Sequence, residues 1–135
     1  MCGIAGIFGK PMPPESRTEL IRQMIGAVMH RGPDAQDLLV RHDAALGHAR
    51  LSIIDLANGR QPMADESGEV AIAFNGEIFN YLELRRDLMA RGICFRTNSD
   101  TEVILRLYQE RGTACVEVLN GDFAFAILDR SRGWL

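Results

Sequence analysis

Long hydrophobic runs are missing from this sequence. The longest apolar stretches, such as Val70-Ala71-Ile72-Ala73-Phe74, have strand length and fall far short of the roughly 20 residues that cross a bilayer. The amino terminus also lacks the basic segment and extended apolar core of a secretory signal, so a cytoplasmic protein that meets no membrane is expected. Basic clusters are missing too. The formal net charge is −3 and the basic residues are scattered, which argues against a nucleic-acid partner, because such binding leaves a positive footprint. The cysteines, Cys2, Cys94 and Cys115, are odd in number and show no CxxC spacing, so they fit neither a disulfide framework nor a zinc site. Cys94 and Cys115 lie among apolar neighbours and are expected to be small buried hydrophobes. There is no GxxxxGK[ST] phosphate loop, and His30, His42 and His48 have no spacing that speaks for metal ligation.

What is present is sufficient for one soluble domain: 135 residues, 47% hydrophobic and 24% charged. Gly3 to Phe8 reads as a buried strand, and Gly9 to Glu15, with Pro11, Pro13 and Pro14, as a loop. Ser16 and Glu19 have the spacing of a capping box, opening a helix with the apolar face Leu20, Met24, Ala27 and Val28 that ends near His30. Strands at Leu38 to Arg41 and Ala45 to Ile54 flank a turn at Asp43-Ala44, and Ala57 to Gly68 is a long loop. Val70 to Phe74 is a strand expected to run into a turn at Asn75-Gly76-Glu77. Asn80 and Glu83 repeat the cap spacing before a helix containing Leu82, Leu84, Leu88 and Met89, with Gly92 past its end. Cys94 to Arg96 reads as a short strand, and Ser99 or Asp100 caps a third helix that carries Val103, Ile104 and Leu107 and stops at Gly112. Asp122 to Asp129 reads as a core strand buried on both faces. Arg130 to Gly133 is a hairpin turn, and Trp134-Leu135 begins a returning strand, so a fragment of a longer protein is expected.

Cys2 directly follows Met1. Removal of Met1, which a small second side chain permits, would put a thiol and a free α-amine on one residue. Unperturbed thiols titrate near ~8.5 and α-amines near ~7.7 to 8.0, so part of the amine is unprotonated at neutral pH and can take a thiol proton. While Met1 stays attached, that base is an amide nitrogen and the chemistry is blocked. For an isolated Met-Cys the better reading would be the accidental start of an apolar strand.

Other stretches change that balance. They are Cys2-Gly3-Ile4-Ala5-Gly6, Arg31-Gly32-Pro33-Asp34, Gly47-His48-Ala49-Arg50-Leu51-Ser52-Ile53, Gln61-Pro62-Met63, Asn75-Gly76-Glu77-Ile78-Phe79-Asn80 and Ser99-Asp100-Thr101-Glu102. In this order they resemble the class II glutamine amidotransferase domain, and their wording is most similar to the amino-terminal part of glutamine-hydrolysing asparagine synthetase. The resemblance implies an α+β fold of the amino-terminal nucleophile hydrolase type, an αββα sandwich of mainly antiparallel sheets truncated at its carboxyl end. Residues 1–135 would be an incomplete type 2 amidotransferase domain with the synthetase domain absent.

The implied reaction is hydrolysis of L-glutamine to glutamate and ammonia through a thioester on Cys2. Ammonia would pass to a synthetase domain of the same longer chain or of a partner protein. The step would need no cofactor, ATP and magnesium being implied only for the absent synthetase domain, and a homodimer is left open. Arg50 is the resemblance's choice for the substrate carboxylate, with backbone groups of Leu51 and Ile53 lining the same pocket. A planar guanidinium suits a carboxylate, although alone Arg50 would read as a solvated strand arginine. Asn75 and Gly76 match an oxyanion hole, against the competing reading of a plain Asn-Gly turn. Glu77 and Asp100 match the acids that hold the substrate ammonium, while a helix cap at Asp100 and a surface carboxylate at Glu77 are the alternatives. His48 reads as structural, and Arg31 to Asp34 carry no derivable catalytic role. Two rivals stand beside this reading: a non-catalytic fragment that only binds, and the glutaminase part of another amidotransferase, such as glucosamine-6-phosphate synthase, amidophosphoribosyltransferase or glutamate synthase.

Overall fold

A computed structural model describes residues 2–9, 11–51, 59–133 and 135. The expectations placed on Met1, on Ile53, on the strand end beyond residue 51, on the start of the Ala57 loop and on Trp134 lie outside the described residues. Among the described residues no helix is long and apolar enough to cross a membrane.

The first sheet is built from β1 (Gly3–Phe8), β2 (Ala35–Val40) and β3 (Ala44–Arg50), in the antiparallel order β1-β3-β2. Helix α1 (Pro14–Ala27) lies on its outer face, burying Ile21 and Ile25 beside Ile7 and Ala45. The helix begins at Pro14, ahead of the expected Ser16, because proline's fixed φ and missing N–H suit the first helical position. No side chain caps it, and Glu19 accepts instead from Arg22 and Gln23 within the helix. The buried stripe is Arg17, Ile21 and Ile25, while Leu20, expected inside, is exposed. The Arg17 guanidinium donates to the carbonyls of Arg41 and His42, satisfying the turn between β2 and β3.

The second sheet has the order β4-β5-β6, with β4 (Met63–Ala64), β5 (Val70–Ile78) and β6 (Gly121–Asp129). Strand β5 does not turn at Asn75-Gly76-Glu77 as expected. It runs on to Ile78 because β6 pairs along it, with Asn75 opposite Ala124, Gly76 opposite Phe123 and Glu77 opposite Asp122. A full ladder of cross-strand bonds outweighs the turn preference of a dipeptide. Strand β6 is buried on both faces only at its end, since Asp122, Phe123 and Ala124 are exposed.

Helices α2 (Tyr81–Ala90) and α3 (Asp100–Arg111) cover the outer face of this sheet. Asn80 does not cap α2 with its side chain. Its amide donates to Val118 O and accepts from Asn120 N, tying the β5–α2 turn to the entry of β6. Ser99, rather than Asp100, caps α3, accepting from Glu102 N at 3.3 Å. No strand forms at Cys94 to Arg96, and Cys94 is exposed while Cys115 is buried. Alanines and leucines fill the space between the sheets: Ala44 and Leu46 from one, Ala71, Ala73 and Leu128 from the other. The layers are therefore helix, sheet, sheet, helix, an α+β sandwich with antiparallel pairing throughout both sheets.

Candidate active site

Strand alternation decides which side chains meet. In β3, Ala44 and Leu46 face the second sheet, so His48 and Arg50 follow on the same side, while Ala45 faces α1. In β5, Ala71 and Ala73 face the first sheet, so Asn75 and Glu77 continue that face, whereas Ile72, Phe74 and Ile78 turn toward the helices. Ile4 of β1 also packs between the sheets, and one pleat earlier lies Cys2. The polar ends of three buried apolar faces thus converge. They open into a cleft of about 270 Å³ whose lining includes Cys2, Arg50, Leu51, Asn75, Gly76, Glu77 and Asp100. Each expected site residue that the structure describes is on that wall; Ile53 is outside the described residues.

Cys2 is half-buried, and its sulfur is held from both sides by the backbone of Leu51. Leu51 N donates to Sγ at 3.3 Å, and Sγ lies 3.6 Å from Leu51 O, within the longer reach of a thiol donor. The Cys2 carbonyl accepts from Nε of Arg31 at 3.1 Å. Asn75 Oδ1, an acceptor, is buried with no hydrogen-bond partner among the described residues. Also on the cleft wall, Asp100 accepts from Ile78 N through Oδ2 at 3.3 Å and from Thr101 N through Oδ1 at 2.9 Å. Burial pushes its carboxyl above the ordinary aspartate range and the Glu77 charge adds to this, while the Ile78 and Thr101 N–H groups pull it back. Among the described residues no group of three or more His, Cys, Asp or Glu is placed to hold a metal ion.

The family model described as the glutamine amidotransferase domain matches residues 1–135. The chain belongs to this family. Asparagine synthetase [glutamine-hydrolyzing] 1 of Bacillus subtilis (strain 168) is 44% identical over 133 residues, which are 97% of this chain and 21% of that protein. A probable asparagine synthetase [glutamine-hydrolyzing] of Dictyostelium discoideum is 39% identical over 131 residues, 96% of this chain and 24% of the relative. The amidotransferase chain thus spans between a fifth and a quarter of the length of these relatives. Among solved structures, glutamine phosphoribosylpyrophosphate amidotransferase from B. subtilis, complexed with ADP and GMP, matches with a TM-score of 0.78 and 21% identity, over 96% of this chain and 35% of that one. At that identity the likeness concerns the fold, and it agrees with the expected sandwich.

Several residues around the cleft were not assigned work from sequence. Arg31, Gly32 and Asp34 brace the ends that carry Cys2 and Arg50. Arg31 holds the Cys2 carbonyl, Asp34 N donates to Arg50 O at 3.0 Å, and a Cβ on Gly32 would stand 2.1 Å from Ala49 O. Only glycine allows that approach. Glu102 is fully buried and shapes the loop before Asp100. It accepts from Arg96 N at 3.0 Å, Thr97 N at 2.6 Å, the Thr97 hydroxyl at 2.7 Å and Arg106 at 3.2 Å. Burial opposes its charge, but these donors outweigh burial and keep the carboxyl below the usual glutamate range. Arg106 in turn grips Glu66, whose carboxyl is lowered to about 2, first by that hydrogen bond. The signal for Glu102 was its place in Ser99-Asp100-Thr101-Glu102, where its backbone serves the cap and its side chain the preceding loop.

Proposed function

We propose that this chain is a glutaminase: it hydrolyses L-glutamine to glutamate and ammonia, with Cys2 as nucleophile. The observation that carries the reading is the convergence of the Cys2 sulfur with Arg50, Asn75, Gly76, Glu77 and Asp100 in one amino-acid-sized cleft. With Met1 removed, the α-amine takes the thiol proton and sulfur bonds to the side-chain amide carbon of glutamine. Asn75 and the Gly76 N–H hold the oxyanion, the C–N bond breaks, and ammonia leaves with the proton. Water then cleaves the thioester, releasing glutamate and restoring the thiol. Arg50 holds the substrate carboxylate, with Leu51 beside it, and Glu77 and Asp100 hold the ammonium. All the parts come from the chain itself, so the step calls for no cofactor. The high identity to two asparagine synthetases supports an asparagine synthetase-type acceptor for the ammonia.

The test is glutamate release from glutamine by protein whose intact mass shows Met1 removed, compared with protein that retains it. Release only from the processed form is expected. A folded, processed protein that binds glutamine without turnover would make this a binding module instead.

Asn75→Ala should lower kcat by about 10²- to 10³-fold, or ~2.7 to 4 kcal/mol, with a smaller change in KM, because the lost donor acts on charge that develops at the transition state. Steady-state kinetics on folded protein reads this directly.

Acid should weaken substrate binding earlier than an ordinary aspartate would. Asp100 must be ionised to hold an ammonium, and its carboxyl titrates above the usual range. KM for glutamine is therefore expected to rise as pH falls through this raised pKa, and the rise should vanish in Asp100→Asn, whose KM is high throughout. The sign for stability is opposite. A carboxyl raised on folding favours the fold below its unfolded pKa, and that contribution is lost as pH rises through the folded pKa.

A further inference from the structure

We propose that Gln61 is a positioning residue that locks the ammonium clamp on α3 to the oxyanion strand β5 through a buried hydrogen-bond relay, so that glutamine is met by both in fixed register. The inference rests on the glutaminase reading.

The parts of the cleft come from elements far apart in sequence: Arg50 from β3, Asn75 and Glu77 from β5, Asp100 from α3. A displacement of about 1 Å between such groups can cost on the order of 10²-fold in rate. Asp100 itself reaches β5 at Ile78 N, 3.3 Å away, but beside Phe74 β4 adds nothing to that tie, since it pairs with β5 only at Ala71 and Ile72. Past that point the edge of β5 needs other partners for the backbone of Phe74. Side chains supply both. His48 Nε2 lies 2.9 Å from Phe74 O, and a carbonyl only accepts, so this nitrogen carries the proton. Burial holds the imidazole pKa low, which keeps the ring neutral in that tautomer. Phe74 N donates to Gln61 Oε1 at 2.7 Å, and Gln61 Nε2 donates to Thr101 Oγ1 at 3.1 Å.

The relay therefore runs from β3 through β5 and Gln61 to α3, and every side chain that carries it is at most 7% exposed. Its stations stand beside the site residues: His48 precedes Arg50 on the same face of β3, Phe74 adjoins Asn75, and Thr101 adjoins Asp100. A glutamine is suited to the middle position, since its amide offers an acceptor to the strand and a donor to the helix at once. Gln61, Phe74 and Thr101 border the cleft but are nearly buried, so water replaces a lost bond poorly.

Thr101→Val removes the last bond and keeps the side chain's shape, leaving the Phe74–Gln61 bond able to form, and Thr101→Ser restores the hydroxyl. For the folded, Met1-processed proteins, kcat/KM for glutamine should fall at least about tenfold in Thr101→Val and stay within about twofold of the parent in Thr101→Ser. Alkylation of Cys2 by iodoacetamide, which carries neither ammonium nor carboxylate for the clamps, should proceed at the parent rate in both. Hydrogen exchange at the Phe74 amide should be faster in Thr101→Val than in the parent or Thr101→Ser. Parent-like kcat/KM in Thr101→Val overturns the proposal, as does loss of iodoacetamide reactivity in step with turnover, which would mean general disruption. If the parent itself releases no glutamate, the glutaminase reading fails on its own. The relay is then decided by Phe74 exchange: acceleration confined to Thr101→Val sustains it, and equal exchange in the three proteins overturns it.

Discussion

Cys2→Ala is expected to reduce glutamate release to background, at least about 10⁴-fold below the parent, while leaving the protein folded and able to bind glutamine. The chemistry offers no substitute. The sulfur is the only atom of residue 2 that can form the thioester, and the α-amine has nothing to deprotonate once the thiol is gone. The structure explains why the fold should survive. Arg31 grips the backbone carbonyl of residue 2, and the ladder of β1 with β3 starts at Gly3, so alanine disturbs neither. What is lost inside the protein is the pair of sulfur contacts to Leu51, and the side chain is only half-buried. Calorimetric titration with glutamine should therefore still show binding through Arg50, Glu77 and Asp100. Turnover that persists in Cys2→Ala would sink the mechanism, and lost binding would show that the sulfur helps to hold the substrate.

Gly76→Ala should be the most damaging single change to the fold near the site. Gly76 has φ +143°, which L side chains rarely adopt, and an added Cβ would stand 2.2 Å from Asp122 O and 2.6 Å from Phe123 Cα of the paired strand. Neither obstacle is the flexible tip of a side chain, so β6 itself would have to move. Strain and overlap together should cost about 3 to 5 kcal/mol, a large share of the ~5 to 15 kcal/mol that stabilises a typical domain. The urea midpoint should drop accordingly, and surviving folded protein should be impaired in turnover because Gly76 N–H shifts with the strand. Gly26→Ala is the natural control. Its Cβ would meet nothing within 4 Å on the exposed side of α1, and the helix should gain about 0.5 to 1 kcal/mol. Equal midpoints for Gly76→Ala and the parent would contradict the pairing of β5 with β6.

The resemblance carried by short, ordered motifs singled out Cys2, Arg50, Asn75, Glu77 and Asp100, which the fold brings to one cleft, and β1 and the Ser99 cap of α3 fell where the pattern put them. The failures have common physical causes. Asn75-Gly76 is a strong turn signal locally, but its strand partners, Ala124 and Phe123, lie far along the chain, and no local pattern reports them. The Ser16 and Asn80 caps failed because each pattern has competitors: Pro14 starts α1 earlier, and Asn80 is taken by Val118 and Asn120. Buried polar residues were the least legible. Arg17, His48, Gln61 and Glu102 are inside because particular carbonyls, amides and hydroxyls await them there, and those partners come from other elements. Cys94 shows the reverse error, since apolar neighbours in sequence do not bury a residue whose segment joins no sheet.

The alanines between the sheets give the cleft a second layer of control. Ala71 and Ala73 share the face of β5 that ends in Asn75 and Glu77, and Ala44 shares the face of β3 that ends in Arg50. Each is therefore a shim beneath a working part. A single added methylene there would press the two sheets apart and tilt one wall of the cleft against the other, so the width of the cleft is set partly by residues that do not line it.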